Sequence, residues 1–109
     1  MEDNLTLTIL CDLITTVERQ VDRFPVGSAQ HTLQVNRLSA LNIALAIHND
    51  VELTHAELTL GVAPLTSLIS KSEKALTKLD PNAWQAQRLT AQLAVLRPLL
   101  NRLHDRLSS

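Results

Sequence analysis

Leu89, Leu93, Leu96, Leu100, Leu103 and Leu107 step along the chain by 4, 3, 4, 3 and 4 residues. In a helix of 3.6 residues per turn that spacing holds all six on one stripe, whereas a strand would split them between two sides. Such a ladder requires facing helices to cover it, and the rest of the chain supplies them. Leucine fills 22 of 109 positions, Tyr is absent, and Phe24 and Trp84 are the sole aromatics. That palette suits helices better than sheets, which favour β-branched and aromatic side chains. Gly27 and Gly61 are the two glycines, so tight hairpins are in short supply. A chain of this length builds one core. The expectation is an all-α domain spanning 1–109, folded as an antiparallel four-helix bundle of the up-down type.

The first helix is expected over 4–24. Leu10, Ile14, Val17, Val21 and Phe24 share a stripe, and Pro25 followed by Gly27 ends it. Ser28 is placed to cap a second helix. In that helix Leu38, Leu41 and Leu45 form one apolar face, and Ala40, Ile43, Ala44, Ile47 and Val51 form another on roughly the opposite side. A helix apolar on two sides has to be covered on two sides, which makes it long and central, or part of a dimer interface. Its end is ambiguous. Thr54 and Glu57 have the spacing of a capping box, which would start a new helix that Pro64 then kinks. The preferred expectation is one continuous helix over 28–60, with Gly61 as its breaker and Pro64 opening the next.

The third helix is expected over 64–79. It carries Leu65, Leu68, Ile69, Ser72, Ala75, Leu76 and Leu79 on one face, and Lys71, Lys74 and Lys78 on the other. Asp80-Pro81 reads as the cap and first turn of a fourth helix over 81–107, which Pro98 kinks or loosens.

Charge divides the chain although the net charge is −1. Residues 1–60 hold three cations against eight acids, and residues 61–109 hold seven against three. Complementary exposed faces are the expected consequence. Cys11 is alone, so no disulfide forms within the chain, and it flanks the apolar stripe of the first helix, where a semi-buried structural thiol is expected. The N-terminus is acidic where a signal peptide is basic, and the apolar run from Leu5 to Ile14 is too short to span a bilayer. A cytoplasmic location without membrane attachment is expected.

Chemistry-bearing motifs are sparse. His48, Glu52 and His55 would lie along one stripe at i, i+4 and i+7 if the second helix ran through them, and neutral imidazoles and a carboxylate so spaced can share a divalent metal. A solvated polar stripe is the preferred alternative, so no cofactor is expected. No nucleophile elbow, Cys–His pair or phosphate-cradling glycine loop occurs, which argues against an enzyme. His31 and Arg37 read as a helix-start contact and a surface ion pair.

The basic half offers a nucleic-acid reading through Lys71, Lys74, Lys78, Arg88, Arg102 and Arg106. Its arginines are scattered around the fourth helix, however, and stacking aromatics are missing. The favoured function is a non-enzymatic protein-interaction module that self-associates as a homodimer. Its expected interface is Ala40, Ile43, Ala44, Ile47 and Val51 of the second helix with Trp84 and Val95 of the fourth.

Overall fold

The computed structural model describes residues 2–109, with side chains from Asn4 onward. Four helices, α1 (Glu2–Val21), α2 (Ala29–His48), α3 (His55–Thr77) and α4 (Trp84–Ser108), make up the regular structure, and the described residues contain no strand. They pack as a helical bundle. α2 and α4 each touch all three other helices, whereas among the described residues α1 and α3 do not meet. Closing the α2–α4 diagonal at the expense of the other flattens the molecule to 40 × 39 × 22 Å. Among the described residues no helix is long and apolar enough to cross a membrane.

The stripes read from the sequence face the core. Leu10 and Val17 of α1, Leu65 and Ile69 of α3, and Leu93, Leu96 and Leu103 of α4 are buried. Lys71, Lys74 and Lys78 are exposed. Pro98 and Ala94, whose carbonyl has lost its usual donor, both lie in solvent, so water replaces the missing hydrogen bond and α4 continues to Ser108. Ser28 caps α2 as expected, its hydroxyl accepting from the His31 N–H at 3.1 Å. Cys11 differs from expectation and is exposed.

The second helix is the main correction. It ends at His48, not near Leu60, and Pro64 lies inside α3 rather than at its start. Asp50 adopts φ of 57°. The Asp50 N–H bonds to the Ile47 carbonyl at 3.1 Å and the Val51 N–H to the Ala46 carbonyl at 2.9 Å. This pairing with a left-handed residue is a Schellman ending, with Asp where Gly is usual. The capping box then starts α3. Thr54 Oγ1 accepts from the Glu57 N–H at 3.1 Å, and Glu57 Oε1 accepts from the Thr54 N–H at 3.0 Å.

Asp80 also departs from expectation. Its carboxylate accepts from the Asn82 N–H and its carbonyl from the Ala83 N–H, forming a turn, and α4 begins three residues after Pro81. At the end of α1, N–H groups of Arg23 and Phe24 reach back three residues, so the helix tightens and stops before Phe24.

Thr54→Ala is expected to cost about 1 kcal/mol, measured by urea unfolding, since it orphans an α3 donor. The box also responds to acid. The Thr54 backbone N–H, then its side chain, hold the Glu57 carboxyl below its ordinary range. A lowered carboxyl pKa stabilises the fold above the unfolded-state value, and that contribution is lost as pH falls through the lowered one. The stability gap between wild type and Glu57→Gln is therefore expected to close in acid.

Candidate functional site

The buried surface of α2 contains two residues that belong by type in solvent. Gln34 is 6% exposed and Arg37 5%. They lie one turn apart: Arg37 falls in the interval between the two apolar faces read from the sequence, and Gln34 lies on the face of Leu38, Leu41 and Leu45. Residues Gln34, Arg37, Ala40, Leu41, Ala44 and Ile47 are all buried. At about 100° per residue these form one continuous arc with Arg37 near its centre. The two faces are thus the flanks of a single broad one, covered by α1, α3 and α4.

Arg37 and Gln34 line a cavity of ≈ 370 Å³ to which every helix contributes. α1 supplies Leu13, Thr16, Val17 and Gln20, and α3 supplies Leu68, Lys71, Ser72 and Ala75. α4 supplies Trp84, Gln85, Arg88, Leu89 and Gln92 from its first turns. The lining divides by chemistry. Leu13, Val17, Leu68 and Leu89 are apolar, while four glutamine amides and the Thr16 and Ser72 hydroxyls provide hydrogen-bonding groups. Arg37, Lys71 and Arg88 bring three cations, and no Asp or Glu is among the lining residues. Lys71 and Arg88 are exposed towards the mouth, as is Trp84 at 64%.

Burial of this kind is costly unless answered. Arg37 Nε and Gln34 Oε1 are buried without a hydrogen-bond partner, and neither of the ion pairs among the described residues involves Arg37. A guanidinium stays charged when buried, so its cost is not relieved by losing a proton. Uncompensated groups of this sort mark sites where something else completes the bonding. Other surface depressions lack this feature. The one between α2 and α3, around Val35, Leu38 and Leu53, has no buried charge, and that beside Lys71, Lys74 and Lys78 is formed by α3 alone.

The residues singled out from the sequence are distributed differently. Ala40, Ala44, Ile47 and Val95 lie in the core at 8% exposure or less, and Ile43 packs against it. Ile43 also lines the surface depression between α2 and α3, and Val51 and Trp84 are exposed. His48, Glu52 and His55 lose their helical spacing, because the left-handed Asp50 and the loop to Thr54 separate the end of α2 from the start of α3. Among the described residues no three His, Cys, Asp or Glu side chains gather as a metal site.

The basic set is also divided. Arg102 donates to the Ile47 carbonyl and to Asp50 Oδ1, both at 2.9 Å, and Arg106 donates to the Val51 carbonyl at 2.8 Å. Both thereby satisfy carbonyls at and just beyond the C-terminal end of α2, where cations also complement the helix dipole. Arg97 pairs with Glu73 at 2.6 Å. Lys71 and Arg88 face the cavity. The sequence reading gives Gln34 no role and treats Arg37 as half of a surface ion pair. The signals available are the place of Gln34 on the stripe of Leu38, Leu41 and Leu45 and that of Arg37 between the two apolar faces.

Compared with protein-family models, with characterised proteins and with solved structures, the chain matches none.

Proposed function

We propose that this chain is a non-enzymatic binding protein, an up-down antiparallel bundle that takes a small organic anion into the cavity among its four helices. One observation carries the reading: the buried Arg37 guanidinium, unanswered by any carboxylate in a lining that holds two further cations. An anion with an apolar body would satisfy Arg37 while covering the leucines, and Lys71 and Arg88 would steer it in. Binding rather than catalysis accords with a lining of amides, hydroxyls and cations that offers no carboxylate, imidazole or thiol. The alternation of chain direction is supported by the cavity itself, which draws on the C-terminal halves of α1 and α3 and the N-terminal halves of α2 and α4.

Self-association has weaker support, because the second face of α2 that motivated it is covered from within the chain. The nucleic-acid reading likewise loses Arg102 and Arg106 to the end of α2.

The test uses three probes with a shared phenyl group: hydrocinnamate, phenethyl phosphate and the neutral phenylpropanol. Amide NMR spectra report directly, since Trp84 gives the chain's sole indole N–H. The expected result is a saturable shift of that signal and of the Gln34 side-chain amide with at least one anion, with Kd between about 1 μM and 1 mM. Phenylpropanol should bind far more weakly. Equal binding of the neutral probe, or no saturable shift with either anion, removes the proposal.

A further inference from the structure

We infer that the cationic surface running from the cavity mouth along α3 binds single-stranded nucleic acid, with Trp84 as its base-stacking platform. Lys71, Lys74 and Lys78 are exposed and share one depression on α3 with Ser67 and Ser70. Lys71 and Ala75 also line the cavity, so the two surfaces are continuous, and Trp84 and Arg88 of α4 lie at the cavity end. Neither lining contains an Asp or Glu, and none of the four cations joins an ion pair among the described residues. The acids on the flanking chain are engaged elsewhere: Glu73 pairs with Arg97, and the Asp80 carboxylate accepts from the Asn82 N–H. Four unanswered cations on one surface concentrate positive potential there, in a chain whose net charge is −1, and attract a polyanion. These side chains lie in solvent, so the surface is independent of the enclosed Arg37.

Trp84 decides which polyanion fits. At 64% exposure it leaves a large aromatic face uncovered. Arg88 follows one turn later on α4, which puts a guanidinium on the same side of the helix as the indole. Bases stack on such a ring while phosphates take the cations, the arrangement by which proteins hold single strands without reading their sequence. A duplex keeps its base faces covered within its own stack. A peptide rich in Asp and Glu meets the lysines but offers no flat π surface to the indole. From Lys71 to Lys78 the helix advances about 10 Å, room for about three phosphates of a stacked strand. The Ser67 and Ser70 hydroxyls add neutral donors for phosphate oxygens. The fold thus sorts the basic set: Arg102 and Arg106 serve the end of α2, and the remaining four cations gather on the surface that carries Trp84.

Fluorescence anisotropy with labelled oligothymidylate and oligouridylate of about twelve nucleotides tests this across a salt series. The expected result is saturable binding of at least one strand, with Kd of about 1–100 μM near about 20 mM salt. The logarithm of affinity should fall with the logarithm of salt at a slope of about −2 to −3, the value for three or four neutralised phosphates. The tighter of the two strands identifies the preferred sugar. Trp84→Ala is expected to weaken binding about tenfold with the slope unchanged. The double substitution Lys74→Gln and Lys78→Gln should instead reduce the slope by about 1.4. All three side chains are exposed, so these variants keep the fold. Absence of binding by both strands at low salt overturns the inference. Equal or tighter binding of the corresponding duplex or of polyglutamate does so too, as does an affinity that Trp84→Ala leaves unchanged.

Discussion

Leu103→Ala is expected to lower the free energy of unfolding by about 3–5 kcal/mol, the upper part of the range for leucine truncation in a core. Leu103 is fully buried in α4 and packs where α3 has no side chain at all. A Cβ placed on Gly61 would sit 3.1 Å from Leu103 Cδ1 and 3.2 Å from Ile43 Cγ2. Glycine inside a helix costs about 0.5–1 kcal/mol relative to alanine, and here that cost permits α3 to approach α2 and α4 closely. Removing the Leu103 side chain leaves a void walled on one side by the bare backbone of Gly61, so α3 offers no side chain to relax into it.

The same geometry predicts a rescue. Gly61→Ala in the Leu103→Ala background should recover about 1 kcal/mol or more through restored helix propensity and partial filling. In the wild-type background Gly61→Ala must displace the Leu103 and Ile43 methyls, so it gains less. A double-mutant cycle by urea unfolding measures the coupling. Strict additivity of the two substitutions would show that residues 61 and 103 do not share this space.

Arg37→Met is expected to act in the opposite direction on stability and to remove ligand binding. Methionine keeps an unbranched side chain of similar reach, and eliminates a buried charge with an unpartnered Nε. Replacing buried ionic groups by apolar ones of like volume is often neutral or stabilising, and for a guanidinium with no carboxylate beside it we expect a gain of about 1–3 kcal/mol. Thermal unfolding should then shift upward by several degrees while the Trp84 signal ceases to respond to hydrocinnamate and phenethyl phosphate. This pairing separates a binding residue from a structural one, since function and stability commonly conflict at sites of this kind. Loss of stability in Arg37→Met would assign the guanidinium a role in holding the fold.

Local signals fixed much of the architecture. The leucine ladder of α4, the stripes of α1 and α3 and the Ser28 cap are properties of short stretches, and each sits as its spacing requires. The join between α2 and α3 was less legible, because two sets of local signals competed there. Gly61 offered a helix end and Thr54-Glu57 a helix start, and the contest was decided by groups distant in the sequence. Arg102 and Arg106, more than 50 residues further on, meet the carbonyls at the end of α2 and hold Asp50 in its left-handed turn. Gly61, freed from ending a helix, serves instead as the point of closest approach between helices.

Burial has the same character, since a periodicity states which residues share a face but not how wide a face the neighbours will cover. The sequence by itself determined that the chain is helical, that it has four helices, and which stripes of α1, α3 and α4 turn inward. Tertiary structure decided where α2 ends, that its two apolar flanks belong to one covered arc, and that Arg37 near the middle of that arc and Gln34 at its edge are enclosed. A buried polar residue is recognisable only from what surrounds it, and four helices had to meet before the space around Arg37 existed.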